Sequence, residues 1–76
     1  MPDDIQVEER VSVRLDSAAW KSRGWFEGTV VRIDPYSAHR RFYWVELDQE
    51  VEVISGGSTR LVSVLNVKNI LPAGKA

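Results

Sequence analysis

The chain has 76 residues, a net charge of −1 and no cysteine, so it holds one small domain without disulfides or thiolate metal sites. The single histidine, His39, cannot form a metal site alone, and the near-neutral charge lacks the overall basic character of most nucleic-acid-binding proteins. No apolar run approaches the roughly 20 residues of a membrane span, and the acidic N-terminus is unlike a signal peptide. We expect a cytoplasmic protein that contacts no membrane and carries no metal or cofactor.

The first strand is predicted over residues 10–15, where Val11 and Val13 alternate with polar residues and should face the core. Residues 16–24 are small, polar or glycine for the most part and should form a loop. One helical turn at residues 17–20 fits this loop, because Asp16 or Ser17 can act as its cap.

The second strand is predicted over residues 25–34, and its apolar side changes between Val30 and Val31. A strand that changes its buried face is usually bent or bulged, and Gly28 lacks the side chain that would resist such a bend. Strongly bent strands are typical of small barrels, in which one strand serves both halves of a curled sheet.

Residues 41–54 alternate again and predict a long third strand. Tyr43 and the apolar residues at the same parity should face the core, whereas Phe42 and Trp44 face the opposite side. Residues 55–58, with the sequence Ser-Gly-Gly-Ser, predict a tight hairpin turn, because glycine tolerates the positive φ angles that such turns require.

Residues 60–71 predict the partner strand, a short 3₁₀ turn and a last strand that ends at Pro72. Five short strands without a long helix indicate an all-β domain, a five-stranded antiparallel barrel with a 3₁₀ turn before the last strand. Closure would also remove the sheet edges that a small chain can hardly cover. We expect the barrel over residues 9–72, between a flexible acidic tail at 1–8 and a flexible tail at 73–76.

This layout resembles the SH3-like barrel superfamily, which includes Tudor and agenet modules. The resemblance is carried by Val11-Ser12-Val13, by Trp25 through Val30, by Tyr43 through Leu47, and by Val64 through Pro72. It implies the fold more than the function, because this barrel hosts many unrelated activities.

Three kinds of SH3-like protein imply different functions. Tudor-like modules imply an aromatic cage for a methylated cation, or a groove for a peptide or nucleic acid. Accessory subunits of photosynthetic electron-transfer complexes imply docking to a larger assembly and to a small acidic carrier, but Glu8-Glu9-Arg10 replaces their Arg-Gly-Ser. Type II plasmid dihydrofolate reductases resemble the chain at Ala18-Ala19-Trp20, but Thr59 through Val62 replaces their active-site Val-Gln-Ile-Tyr run.

Aromatic and arginine side chains supply the candidate partner-binding surface. An outward-facing aromatic pair beside arginines is an interface signal, unless the loop at residues 16–24 folds over it. Two tryptophans flank that loop, where Tudor-like barrels build their cage. The candidate site residues are Trp20, Trp25, Phe42, Trp44, Arg40 and Arg41.

Acidic residues should form a row on the outer face of the third strand. They are Glu46, Asp48, Glu50 and Glu52. Carboxylates along one face of a strand lie about 6.6 Å apart and do not converge on a cation, so we interpret the row as a charged outer face and expect no metal.

No combination of acid, base and nucleophile is evident, so the sequence assigns no catalytic residue. We interpret the protein as a non-catalytic binding module or small accessory subunit whose partner is a protein, since interfaces are enriched in tryptophan, tyrosine and arginine. One alternative is a nucleic-acid-binding module, for which affinity would depend steeply on salt. Another is an oligomeric enzyme resembling type II dihydrofolate reductase; the sequence does not define the oligomeric state.

Overall fold

The computed structural model describes residues 5–73 of the chain. Its elements are β1 (Arg10–Leu15), β2 (Gly24–Pro35), β3 (Arg41–Glu52), β4 (Ser58–Val64), a 3₁₀ helix (Val67–Asn69) and β5 (Ile70–Pro72). All strand pairs are antiparallel. The predicted all-β fold, with five antiparallel strands and a 3₁₀ turn before the last one, is confirmed.

The five strands form one sheet in the order β4-β3-β2-β1-β5. Within the described residues β4 and β5 are its two edges, so the hydrogen-bonded sheet is not closed. Val62 of β4 and Ile70 of β5 nevertheless join the same buried cluster as Val13 and Val45 of the central strands. Since side chains from both edges meet in one core, the sheet curls around it.

The predicted bend in β2 is a β-bulge. Pairing with β3 slips by one residue between Val30 and Arg32, which leaves Val31 as the extra residue. Val30 is fully buried, whereas Val31 is 43% exposed. After the bulge Ile33 packs against the core, so both halves of β2 contribute inward side chains despite the change in parity.

Gly28 lies where β3 approaches β2 most closely. A Cβ atom at this position would lie 2.5 Å from the carbonyl oxygen of Glu46 and 2.9 Å from Cα of Leu47. Both atoms belong to the backbone and cannot swing away. Glycine is therefore required here by close packing against β3, and not by the bend that the sequence suggested, which lies further along the strand at Val31.

Two short turns join the central strands. Between β2 and β3 the amide of Tyr36 donates to the carbonyl of Arg40 at 3.0 Å. Between β3 and β4 the predicted hairpin turn is confirmed, with φ angles of +96° at Gly56 and +98° at Gly57. The amide of Val53 closes this turn on the carbonyl of Gly57 at 3.1 Å.

Residues 16–23 connect β1 and β2 and lie against the end of β3. The amide of Lys21 donates to the carbonyl of Glu52 at 2.9 Å, and Trp20 forms a bridge with Val53. The amide of Trp20 bonds to the carbonyl of Ser17 at 3.2 Å, so the helical turn suggested there is a single hydrogen-bonded turn. The backbone hydrogen bonds of Lys21 and Ser22 to β3 are with Glu52, the last residue of that strand.

The segment before β1 extends the sheet. The amide of Glu8 donates to the carbonyl of Val30 at 2.6 Å, and the amide of Val30 donates to the carbonyl of Glu9 at 2.9 Å. Ile5 is only 5% exposed and belongs to the core, although it falls in the tail expected at residues 1–8. The rest of that tail at residues 1–4, and residues 74–76 of the other, lie outside the described residues.

No helix in residues 5–73 is both long enough and apolar enough to cross a membrane.

Candidate functional site

The aromatic residues named from the sequence divide between two ends of the β2–β3 ladder. Phe42 and Trp44 lie at the end where β3 begins, next to the β2–β3 turn. Trp25 pairs with Arg14 at the start of β2, and Trp20 lies beside the far end of β3. Trp25 and Asp34, which contacts Trp44, lie nine positions apart on β2, a distance of up to about 30 Å, against a longest molecular dimension of 37 Å. The structure does not bring all four aromatic residues together.

Trp44 is half-buried on the outer face of β3. In register it lies between Arg32 of β2 and Ser63 of β4. Its indole nitrogen Nε1 donates a hydrogen bond to Asp34 Oδ2 at 3.1 Å. Asp34 accepts a second bond at Oδ1 from Arg32 Nε at 2.9 Å. One carboxylate therefore orients the tryptophan ring and neutralises the nearest arginine.

Phe42 is also half-buried, but the residue that covers it is Tyr36. The two ring centroids are 5.1 Å apart with an interplanar angle of 77°, an edge-to-face arrangement that aromatic pairs prefer. Tyr36 itself is 57% exposed. The contacts of both rings that the structure shows come from Tyr36 and Asp34, within the same hairpin.

Arg40 lies in the β2–β3 turn and Arg41 is the first residue of β3, and both are exposed. The ion pairs found among residues 5–73 use Arg10, Arg14 and Arg32. Within that part of the chain, the guanidinium groups of Arg40 and Arg41 have no carboxylate partner. We call the set Tyr36, Arg40, Arg41, Phe42 and Trp44 the hairpin patch.

Trp20 and Trp25 have different environments at the opposite end. Trp20 is half-buried and packs against the core, which favours a structural role. Trp25 is 49% exposed on the outer face of β2. No aromatic ring pair other than that of Tyr36 and Phe42 occurs within the described residues. Trp20 and Trp25 are therefore not in ring-to-ring contact.

The acidic row on β3 is exposed as expected, but it is not a uniform line. The register between β3 and β4 shifts between Glu46 and Val51. The two terminal nitrogens of Arg10 donate hydrogen bonds to Asp48 Oδ1 and Oδ2, at 2.8 and 2.6 Å. These hydrogen bonds hold the pKa of the Asp48 carboxyl below its ordinary value. The remaining members, Glu46, Glu50 and Glu52, form no ion pair within residues 5–73.

No cluster of three potential metal ligands occurs among residues 5–73. Comparisons of the chain with protein-family models, curated proteins and solved structures returned no match. The role of the candidate site is therefore inferred from the geometry of its own residues.

Sequence reasoning missed two residues of this region, Tyr36 and Asp34. The second strand is predicted to end at Asp34, and Tyr36 falls between the second and third predicted strands. A signal for both was present in the short turn at residues 36–40, since a tight hairpin places the residues before it opposite those after it. The register pairs Asp34 with Phe42 in this way.

Proposed function

We propose that the protein is an SH3-like barrel that acts as a non-catalytic docking module, and that the hairpin patch binds a protein partner. The observation that carries this proposal is the exposed Tyr36 ring packed edge-to-face on Phe42 at 5.1 Å, beside arginines without a carboxylate partner in residues 5–73. Aromatic rings and arginine are the residues that most often dominate binding energy at protein interfaces.

The barrel part of the proposal is supported by the sequential strand order and by the single core. Strands β4 and β5 are at opposite edges of the sheet, yet Val64 and Ile70 belong to one cluster. The 3₁₀ helix directly precedes β5, as the resemblance to SH3-like barrels implies. A curled sheet of this kind supplies a rigid support for the β2–β3 hairpin.

The patch is held in position before any partner arrives. Asp34 fixes the indole of Trp44, and Phe42 packs against Tyr36. Side chains that are already ordered lose less conformational entropy on binding, which favours affinity. This organisation supports docking over a merely solvated turn.

A methylated cation is a poorer ligand for this surface. An aromatic cage attracts a cation with ring faces and nearby negative charge, but the free charges on the hairpin patch are the guanidinium groups of Arg40 and Arg41. Asp34, the carboxylate that contacts the Trp44 ring nitrogen, is already engaged by Arg32 and Trp44.

Site-specific photo-crosslinking in the native host tests the proposal. A photoreactive phenylalanine analogue is placed at Tyr36, and in a matched control at Val67, which is 63% exposed outside the patch. The proposal predicts a discrete protein adduct from position 36 that is absent from position 67 and lost when Arg40 and Arg41 are replaced by serine. Equal adducts from both positions, or none from position 36, would show that the patch is not a docking surface.

A further inference from the structure

We infer that the hairpin patch recognises an acidic segment of its partner, with one apolar or aromatic side chain flanked by carboxylates. This inference rests on the proposed docking function and adds the chemistry of the ligand. It follows from which charged groups around the Tyr36–Phe42 ring pair and Trp44 have an ion-pair partner and which do not.

The positive charge of the patch is concentrated in the turn. Arg32 is neutralised by Asp34 at 2.9 Å, whereas Arg40 and Arg41 are exposed and lack an ion-pair partner within the described chain. Asp34 pairs with Arg32 and accepts from Trp44, and it forms no ion pair with Arg40 or Arg41. A ligand that supplies carboxylates would complete this arrangement, as arginine favours planar acidic groups.

The exposed aromatic rings of the patch indicate that the ligand also carries an apolar side chain. Tyr36 is 57% exposed although it packs on Phe42, and Trp44 is only half-buried beside Ser63, a small neighbour. An aliphatic or aromatic side chain that rests on these rings would bury apolar surface next to the arginines. The exposed arginines and the exposed rings together favour a ligand segment that carries both acidic and apolar side chains.

The extent of the ligand is limited by the acidic row. Glu46 lies two residues beyond Trp44 on the same face of β3, about 6.6 Å away along the strand. It forms no ion pair in residues 5–73 and would repel a further acidic group. A long polyanion along β3 would meet Glu46, Glu50 and Glu52, so a short acidic peptide fits better than a nucleic acid strand.

Fluorescence anisotropy with labelled peptides tests the inference on the full chain. The probe is the peptide Glu-Glu-Phe-Glu-Glu with blocked ends. Matched controls replace all glutamates by glutamine, or phenylalanine by alanine. We expect the acidic peptide to bind several-fold more tightly than either control, and to weaken when NaCl rises from about 0.05 M to about 0.5 M, because exposed charges are screened.

Substitutions test whether the peptide binds at the hairpin patch. Arg40→Ser with Arg41→Ser should weaken binding about fivefold or more, as expected for the loss of two exposed ion pairs. Lys21→Ser with Arg23→Ser removes the same charge from the loop at the opposite end and should leave the affinity unchanged. Equal losses in both variants would show a general charge effect and overturn the inference.

The other outcomes are also decisive. If the glutamine peptide binds as tightly and depends on Arg40 and Arg41, the docking surface stands but its acidic preference is wrong. If an oligothymidine of about ten nucleotides binds more tightly and displaces the peptide, the patch binds single-stranded nucleic acid and both proposals fail. Absence of peptide binding up to about 1 mM overturns the acidic ligand, and the crosslinking experiment then decides on docking alone.

Discussion

Asp34 accepts the indole hydrogen of Trp44 at 3.1 Å and the guanidinium of Arg32 at 2.9 Å. The two carboxylate oxygens are divided between these partners, so the side chain links the two strands of the hairpin on their outer face. In register Asp34 faces Phe42, and its contact with Trp44 is diagonal, as cross-strand pairs allow. The same hydrogen bond that orients Trp44 in the hairpin patch should therefore also stabilise the folded domain.

Replacement of Trp44 by phenylalanine should remove the hydrogen bond but retain most of the ring. We expect the free energy of unfolding to fall by about 1 kcal/mol, because a partly exposed bond to a charged group is worth less than a buried one. Urea denaturation measures the change. Trp25→Phe is the matched control: the indole of Trp25 makes no hydrogen bond within residues 5–73, and its replacement should change stability by less than about 0.5 kcal/mol. Equal effects would contradict a specific role for Asp34.

Replacement of Gly28 by alanine should be among the most destabilising single changes in the chain. The added Cβ would lie 2.5 Å from the carbonyl oxygen of Glu46, so β2 and β3 would have to separate. We expect a loss of about 3 kcal/mol or more in the free energy of unfolding, measured by urea denaturation.

Gly56→Ala provides the contrast to that substitution. Nothing lies within 4 Å of a Cβ at Gly56, but its φ angle is +96°. The expected loss is only about 1 kcal/mol, since strain in the turn is the sole cost. A milder effect at Gly28 than at Gly56 would contradict the close approach of β3.

The Arg10–Asp48 pair predicts a dependence of stability on pH. The hydrogen bonds from Arg10 lower the pKa of Asp48 from its ordinary value of 3.8. Because the folded pKa is the lower one, the stabilisation is present above the unfolded pKa and is lost as the pH falls through the folded pKa. The difference in unfolding free energy between the unchanged protein and Asp48→Asn should therefore be constant near neutral pH and shrink below about pH 4.

Glu46→Gln is the control for that pH series. Glu46 lies on the same face of β3 but has no ion pair in the described residues. Its substitution should cause a smaller change at neutral pH than Asp48→Asn. If the two variants behave alike from pH 2 to pH 7, about the range that carboxylates control, the Arg10–Asp48 pair does not contribute to folding.

The hydroxyl of Thr59 is expected to protect the edge of the sheet formed by β4. This hydroxyl accepts from the amide of Leu61 at 3.1 Å and lies 3.2 Å from the carbonyl of Leu61, to which it can donate. These contacts occupy the amide and the carbonyl of Leu61 on β4, which is an edge strand of the sheet; backbone groups left free at a sheet edge can pair with another chain. Thr59→Val should therefore increase concentration-dependent self-association, measured by light scattering. Thr59→Ser keeps the hydroxyl and should not; similar association of both variants would contradict this mechanism.

The strands could be predicted because the pattern that indicates each one lies within a few consecutive residues. Alternation in β1 and β3 assigns Val13 and Val45 to the core, and the structure buries both completely. The change of face at Val31 predicted the irregularity in β2, since a run of apolar residues at both parities fits no regular half-buried strand. Glycines 56 and 57 predicted the turn through their tolerance of positive φ.

The candidate site could be predicted only in part, because it depends on register and on distant contacts. Trp20, Trp25 and Trp44 are equivalent as residue types, but strand pairing places them in separate environments. The contact between Arg10 and Asp48 spans 38 residues, and no local pattern indicates it. The requirement for glycine at position 28 could not be predicted either, because the atoms that exclude a side chain there belong to the backbone of β3.

The most direct test of the docking account uses the three tryptophan indole signals as separate reporters. The ¹⁵N-labelled chain is titrated with the peptide Glu-Glu-Phe-Glu-Glu, which contains no indole of its own. We predict the largest chemical-shift changes at the indole of Trp44 and at the amides of residues 36–44, with little change at Trp20 and Trp25. Shifts centred on Trp25, or no shifts at a peptide concentration of about 1 mM, would contradict the assignment of the hairpin patch as the docking surface for an acidic segment.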